Sequence, residues 1–229
     1  MSKTILIGGY GSGISQAVAE KFGAEGFSVA LVARSEDKLV AGVKALTAKG
    51  VNARAFPADL GDPASVKAMV AKVRAAIGPI TIVQWTAYSG AAGDLLTADA
   101  AAMRNVYDVA VTGLVTAVQE ALPDLRKEKD AAVLVTNGGL GFYDPKVDAM
   151  GVQWNAMGLS IANAAKHKLV GLLAEKLRGD NVYVGEVVVL GSVKGTAFDN
   201  GSATIEAKTI AAKFWDIYRA RADVSVNVG

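Results

Sequence analysis

Hydrophobic positions along this chain fall into two alternating patterns. Short runs apolar at nearly every position alternate with longer stretches that are apolar every third or fourth residue. The first kind reads as buried strand and the second as amphipathic helix. Strands are predicted over Lys3–Ile7, Phe27–Ala33, Asn52–Phe56, Ile80–Trp85, Ala131–Thr136 and Tyr183–Leu190, with a last short one over Val224–Val228. Helices are predicted between them, over residues 15–22, 36–48, 63–76, 100–127, 153–177 and 205–219. Asp62 is placed to cap the third of these, with Pro63 in its first turn. Strands apolar on both faces and separated by helices imply a parallel sheet covered on both sides. The fold class is therefore α/β, a doubly wound parallel sheet of about seven strands with helices on both faces. No linker, low-complexity segment or repeat interrupts the alternation, so residues 1–229 are expected to form a single domain.

The first strand runs directly into Gly8-Gly9-Tyr10-Gly11-Ser12-Gly13-Ile14-Ser15, and a helical pattern follows. Strand, glycine turn and helix in that order suit a phosphate. Glycines let the backbone turn sharply and approach a ligand, and the helix start points free N–H groups at the anion. Gly9 and Gly13 are the glycines expected to matter most. In an open parallel sheet the ligand lies beyond the carboxyl ends of the strands, where strand order reverses.

Composition narrows the class. The chain is 52% hydrophobic and 20% charged, with 25 glycines and 5 prolines, which argues against disorder. Net charge is +2 and the basic residues form no run, so nucleic acid is not an expected partner. Cysteine is absent, excluding disulfides and thiol catalysis. No apolar stretch approaches the roughly 20 residues that span a bilayer, and the first strand leaves no room for a signal peptide. These features together predict a cytoplasmic protein without a membrane partner.

The glycine turn resembles the threonine-glycine-x-x-x-glycine-x-glycine pattern of the short-chain dehydrogenase/reductase family, with Gly8 for the threonine and Ser15 for the last glycine. Asp59-Leu60 is similar to the acidic-apolar pair that lies against the adenine in that family. Leu190-Gly191-Ser192-Val193-Lys194-Gly195-Thr196 is similar to its segment near the nicotinamide, with Leu190 for a proline. Ala165 to Leu172 resembles the helix segment that carries the family's lysine. The resemblance spans essentially the whole chain and implies a Rossmann-type fold. It also implies a dinucleotide held by Gly9, Tyr10, Ser12, Gly13 and Ile14, by Asp59 and Leu60, by Thr86, Ala87 and Tyr88, by Lys166, and by Val193 and Thr196. NAD-binding members carry a carboxylate about 20 residues after the glycines. Here the chain reads Ala33-Arg34-Ser35. A guanidinium can grip a 2′-phosphate through charge-assisted, bidentate hydrogen bonds. NADP(H) is therefore expected over NAD(H), with Arg34, Ser35 and Ser12 around the phosphate.

At the reacting end the chain departs from the family, which uses an asparagine, a serine, a tyrosine and a lysine. With Lys166 as the lysine, the tyrosine position is Ala162, four residues earlier. The serine position falls on Asn137 or Gly138, and the asparagine position on Ala110. Carbonyl reduction still needs a proton donor. Tyr143 is the expected donor, with Tyr88 as an alternative, and Asn137 is expected to donate to the substrate oxygen through its side-chain amide. Two readings follow: an oxidoreductase with a rearranged site, acting on a small carbonyl compound or alcohol, or a dinucleotide-binding sensor or scaffold that does no chemistry. One histidine, no cysteine and no clustered carboxylates make a metal site unexpected. No serine sits in a nucleophile-elbow pattern, which leaves a hydrolase a poor third. Trp85, Tyr88, Phe142, Tyr143, Trp154 and Phe198 lie on segments expected to line the cleft, suggesting an apolar or aromatic substrate under a short polar lid, residues 197–204. The helices 100–127 and 153–177 are apolar on more than one face. In the family they pair across a two-fold axis, so a homodimer or homotetramer is expected through them.

Overall fold

The computed structural model describes residues 3–229. Seven strands form one parallel sheet: β1 (Thr4–Gly8), β2 (Ser28–Ala33), β3 (Ala53–Pro57), β4 (Ile82–Trp85), β5 (Ala132–Gly138), β6 (Tyr183–Val189) and β7 (Ser225–Val228). Their order across the sheet is β3-β2-β1-β4-β5-β6-β7. The chain walks outward from β1 to β3, then returns to place β4 on the other side of β1. That reversal opens a crevice above the carboxyl ends of β1 and β4, whose registers run from Ile5 beside Ile82 to Gly8 beside Trp85.

Two apolar layers hold the helices. On one face Ile5, Ile7, Leu31 and Leu134 pack beneath Val18 and Phe22 of α1 (Ile14–Ala24), Leu39 and Leu46 of α2 (Glu36–Thr47), and Ile210 and Phe214 of α8 (Ala207–Ala220). On the other, Leu6, Val32, Val83 and Val133 meet Val66 and Val70 of α3 (Pro63–Ala76), together with Leu114 and Ala117 of α5 (Gly113–Leu125). Side chains such as Phe22 and Leu6 are wholly buried, each worth about 1.5–3 kcal/mol of apolar transfer. Asp62 caps α3 as its sequence predicts, accepting from the amides of Ala64 at 3.0 Å and Ser65 at 3.3 Å. Among the described residues, no helix is long and apolar enough to cross a membrane.

Both long helices predicted from the sequence are broken. Residues 100–127 divide into α4 (Ala100–Tyr107), a widened π turn over Asp108–Thr112, and α5. The turn falls where Gly113 packs directly on the Leu60 carbonyl and the Trp85 indole. The region 153–177 begins earlier, with α6 (Pro145–Gln153), then restarts as α7 (Met157–Leu177). Asp144 caps α6, its carboxylate accepting from the Lys146 amide at 2.8 Å, and Pro145 opens the helix. Asn155, at φ 51°, takes the left-handed conformation that stops it.

Candidate functional site

One cleft of about 740 Å³ opens above the switch point between β1 and β4. The glycine turn forms one wall. Gly9 and Gly13 stand at φ 89° and 103°, a region that only glycine enters freely. A Cβ on Gly9 would lie 2.5 Å from the Ala87 nitrogen, and one on Gly13 2.8 Å from the Thr196 methyl. The two departures from the family pattern have local causes. Ser15 is buried, and its hydroxyl accepts from the Gly11 amide at 2.9 Å while donating to the Gly11 carbonyl at 3.1 Å, which closes the turn. Gly8 leaves room for Trp85, whose ring would stand 2.5 Å from a Cβ there. The N-terminus of α1 has no side-chain cap, so its first amides are free to meet an anion.

Around this wall the cleft is lined by Tyr10, Ser12, Ile14, Arg34, Ser35, Asp59, Leu60, Thr86, Ala87 and Tyr88, and farther along by Lys166, Val193 and Thr196. Gly9 lines it too, whereas Gly13 supports it from behind as the residue before α1. Arg34 is exposed and makes no ion pair among the described residues. Lys38, in the first turn of α2, also lines the cleft. Sequence reasoning missed Lys38, which the fold brings to the same cleft wall as Arg34.

At the other end, Lys166 is almost wholly buried and donates to the Thr136 carbonyl at 3.1 Å. Burial pulls its pKa from 10.5 down to about 8, while the nearby Glu186 carboxylate opposes the fall. Glu186 is itself fully buried on β6 and accepts from Asn137 at 2.8 Å and from the Ser225 hydroxyl at 2.9 Å. His167 hydrogen-bonds the same carboxylate through Nδ1 and meets Phe142 edge-on.

Three expectations are corrected here. Tyr143 does not reach the cleft: it follows the 3-10 turn Gly139–Gly141 just ahead of α6, and its side chain is 99% exposed. Asn137 lines the cleft floor, but both hydrogens of its amide are engaged, one by Glu186 and one by the Asn163 carbonyl at 3.1 Å. Its Oδ1 accepts from the Gly138 amide at 3.0 Å, so the side chain orders β5, β6 and α7 and has no donor left for a substrate. Trp85 is buried in the core beneath the cleft, its Nε1 donating to the Val109 carbonyl at 3.2 Å. Tyr88, Phe142, Trp154 and Phe198 do line the opening, with Tyr88 and Phe198 5.8 Å apart between ring centres. Burial raises the Tyr88 pKa above 10. Ala162 and Ala110 pack together with Ala92 and Val106 in a small buried apolar cluster behind the cleft.

The short chain dehydrogenase profile matches residues 3–204. The chain belongs to the short chain dehydrogenase family. Curated members similar to it include the 3-oxoacyl-[acyl-carrier-protein] reductase FabG of Staphylococcus aureus, 28% identical over 62% of this chain and 58% of that protein. The chain thus spans less than two thirds of the first such relatives. The meso-2,3-butanediol dehydrogenase of Serratia marcescens is 28% identical over 81% of this chain and 70% of its own length. Among solved structures, a metagenomic short-chain oxidoreductase in complex with NADP superposes with TM-score 0.83 at 23% identity, covering 100% of this chain and 97% of its own. A short chain oxidoreductase of Pseudomonas aeruginosa PAO1, described as containing an atypical catalytic center, gives TM-score 0.84 at 18% identity, covering 99% of this chain and 95% of its own. At these identities the superpositions establish the fold.

Proposed function

We propose that this short chain dehydrogenase is an NADP(H)-dependent oxidoreductase that interconverts a small carbonyl compound and its alcohol through a rearranged set of reacting groups. The observation that carries the reading is the continuity of the cleft: one cavity joins the free cation Arg34 at its outer end to the buried Lys166 at its inner end. The residues present fit the cofactor. The uncapped start of α1 and the glycine turn suit a pyrophosphate. Arg34 and Lys38, with the hydroxyls of Ser12 and Ser35, suit a 2′-phosphate. Asp59 and Leu60 would hold the adenine, and Thr86, Ala87, Tyr88, Val193 and Thr196 the nicotinamide half, since all line the same cleft. When bound, the nicotinamide supplies or accepts the hydride.

Lys166 would hold the ribose and move the proton. A lysine brought down to about 8 is still mostly protonated at neutral pH, yet is a stronger acid than an exposed one. Tyr88, Phe142, Met150, Trp154 and Phe198 give the substrate end apolar and aromatic walls, which favours an uncharged aromatic or apolar carbonyl compound. The positions of the family's tyrosine and asparagine are taken by Ala162 and Ala110, and that of its serine by Asn137 or Gly138. On the same footing, residues 1–229 act as one domain in the cytoplasm. A homodimer or homotetramer forms through the helices that carry exposed Tyr107 and Leu172.

The alanines at 162 and 110 support a second reading, a sensor or scaffold that binds the dinucleotide without turning it over. Titration of NADPH and NADH by nucleotide fluorescence and melting temperature, on wild type and Arg34→Ala, tests what the readings share. Arg34→Ala should weaken NADPH by about 10–100-fold, as loss of a charge-assisted bond of 1.5–3 kcal/mol requires, and leave NADH unchanged. If neither nucleotide binds, both readings fail. Binding without NADPH oxidation across a panel of aromatic ketones leaves the second.

A further inference from the structure

Asn163 stands on α7 three residues before Lys166, on the same face of the helix. It is only 4% exposed, and it lines the cleft. Its backbone carbonyl accepts from Asn137, yet its side-chain amide hydrogen-bonds no described residue. The unpartnered atoms of Thr4, Gln84 and Tyr218 are sealed inside the protein. The Asn163 amide instead opens on the cleft, where a ligand can meet it. A donor on the cleft wall with no partner among the described residues is available to a ligand oxygen, and a hydrogen bond made there as charge grows on that oxygen is worth about 1.5–3 kcal/mol.

The amide is held in place from three sides. Gly138 gives it room, since a Cβ there would lie 2.8 Å from Asn163 Nδ2. Gly141 lets the 3-10 turn press against α7, where a Cβ would stand 2.6 Å from the Ala164 nitrogen. The Asn137 amide ties down the Asn163 carbonyl at 3.1 Å. A fixed donor on the cleft wall, one helical turn from a buried ammonium, is the arrangement that stabilises charge growing on an oxygen.

We propose that the Asn163 side-chain amide donates the hydrogen bond that holds the substrate's carbonyl oxygen, a further catalytic residue that rests on the reductase reading above. In reduction the carbonyl carbon gains the hydride of NADPH, which is oxidised to NADP⁺. The C=O π pair moves onto oxygen, and that oxygen takes the proton from Lys166. The amide stabilises the oxygen throughout and is not consumed.

The test uses the full chain with NADPH and acetophenone, benzil and benzaldehyde as probes. Asn163→Ala and the volume-matched Asn163→Leu should lower kcat by about 10²–10³-fold, with the NADPH dissociation constant changed less than about twofold. Gly138→Ala, which pushes the amide aside, should lower kcat likewise, but add nothing in the Asn163→Ala background. A folded Asn163→Leu with undiminished kcat overturns the proposal while leaving the reductase reading intact. So does a Gly138→Ala loss that adds in full to that of Asn163→Ala. If wild type binds NADPH but oxidises it with none of the three probes, the reductase reading falls and this proposal falls with it.

Discussion

Lys166 should make the folded protein less stable at neutral pH than it would be with an apolar residue in the same place. The lowering of its pKa from 10.5 to about 8 by burial corresponds to about 3 kcal/mol at about 1.36 kcal/mol per unit. Because the folded value lies below the unfolded one, the unfolded chain binds more protons between about pH 8 and 10.5, and stability rises with pH across that window. Between about pH 7 and pH 10 the recovered stability is about 2.5 kcal/mol. Lys166→Met removes the charge with little change in volume, and it also removes the 3.1 Å bond to the Thr136 carbonyl, worth about 1 kcal/mol. The variant should therefore be more stable than wild type by about 2 kcal/mol near pH 7, an advantage gone by about pH 10. Urea unfolding followed by tryptophan fluorescence at several pH values measures this. Tyr183 and Tyr218, each pushed up to about 12 chiefly by burial, lower stability from about pH 10 upward, where the unfolded phenols ionise first, and do so equally in both proteins, so they cancel in the difference. Stability curves that stay parallel from neutral to alkaline pH would mean that Lys166 titrates like an exposed lysine, and the argument that it is poised to move a proton would be lost.

Two further outcomes follow from the cleft. Gly9→Ala should abolish NADPH binding and destabilise the fold by at least about 1–2 kcal/mol, the cost of a left-handed residue, because its Cβ also meets the Ala87 nitrogen at 2.5 Å; calorimetric melting and nucleotide titration read both. Tyr143→Phe should leave turnover of any ketone the wild type reduces unchanged, since the side chain stands in solvent, and a fall in its kcat would return Tyr143 to the reacting groups.

Local chemistry is legible in the chain wherever a residue acts on its own neighbours. The alternation of apolar runs fixes a parallel sheet, because a strand buried on both faces tolerates no polar positions. Gly9 and Gly13 announce the turn because no other residue takes positive φ cheaply. Asp144-Pro145, a cap followed by proline, marks the start of α6 as clearly as Asp62-Pro63 marks α3, and it could have been read from sequence. Arg34 stands out because it follows Ala33, which takes the place at the end of β2 where a carboxylate is expected.

What the sequence does not carry is which of two neighbouring polar groups faces the ligand. Asn137 and Asn163 are the same residue type near the same cleft. Only the packing of β5, β6 and α7 engages the amide of the first with Glu186 and leaves that of the second free. Tyr143 and Tyr88 likewise both follow strand ends, yet the turn after β5 carries one into solvent while Phe198 draws the other over the cleft. The strands and the nucleotide turn were set by near-neighbour sterics and periodicity, which a single chain displays openly, whereas the break between α4 and α5 depends on Gly113 packing against Leu60 and Trp85. The reacting end is set by contacts between residues far apart in sequence, such as the |i−j| = 49 pair of Asn137 and Glu186. Those contacts exist only once the sheet has brought their strands side by side.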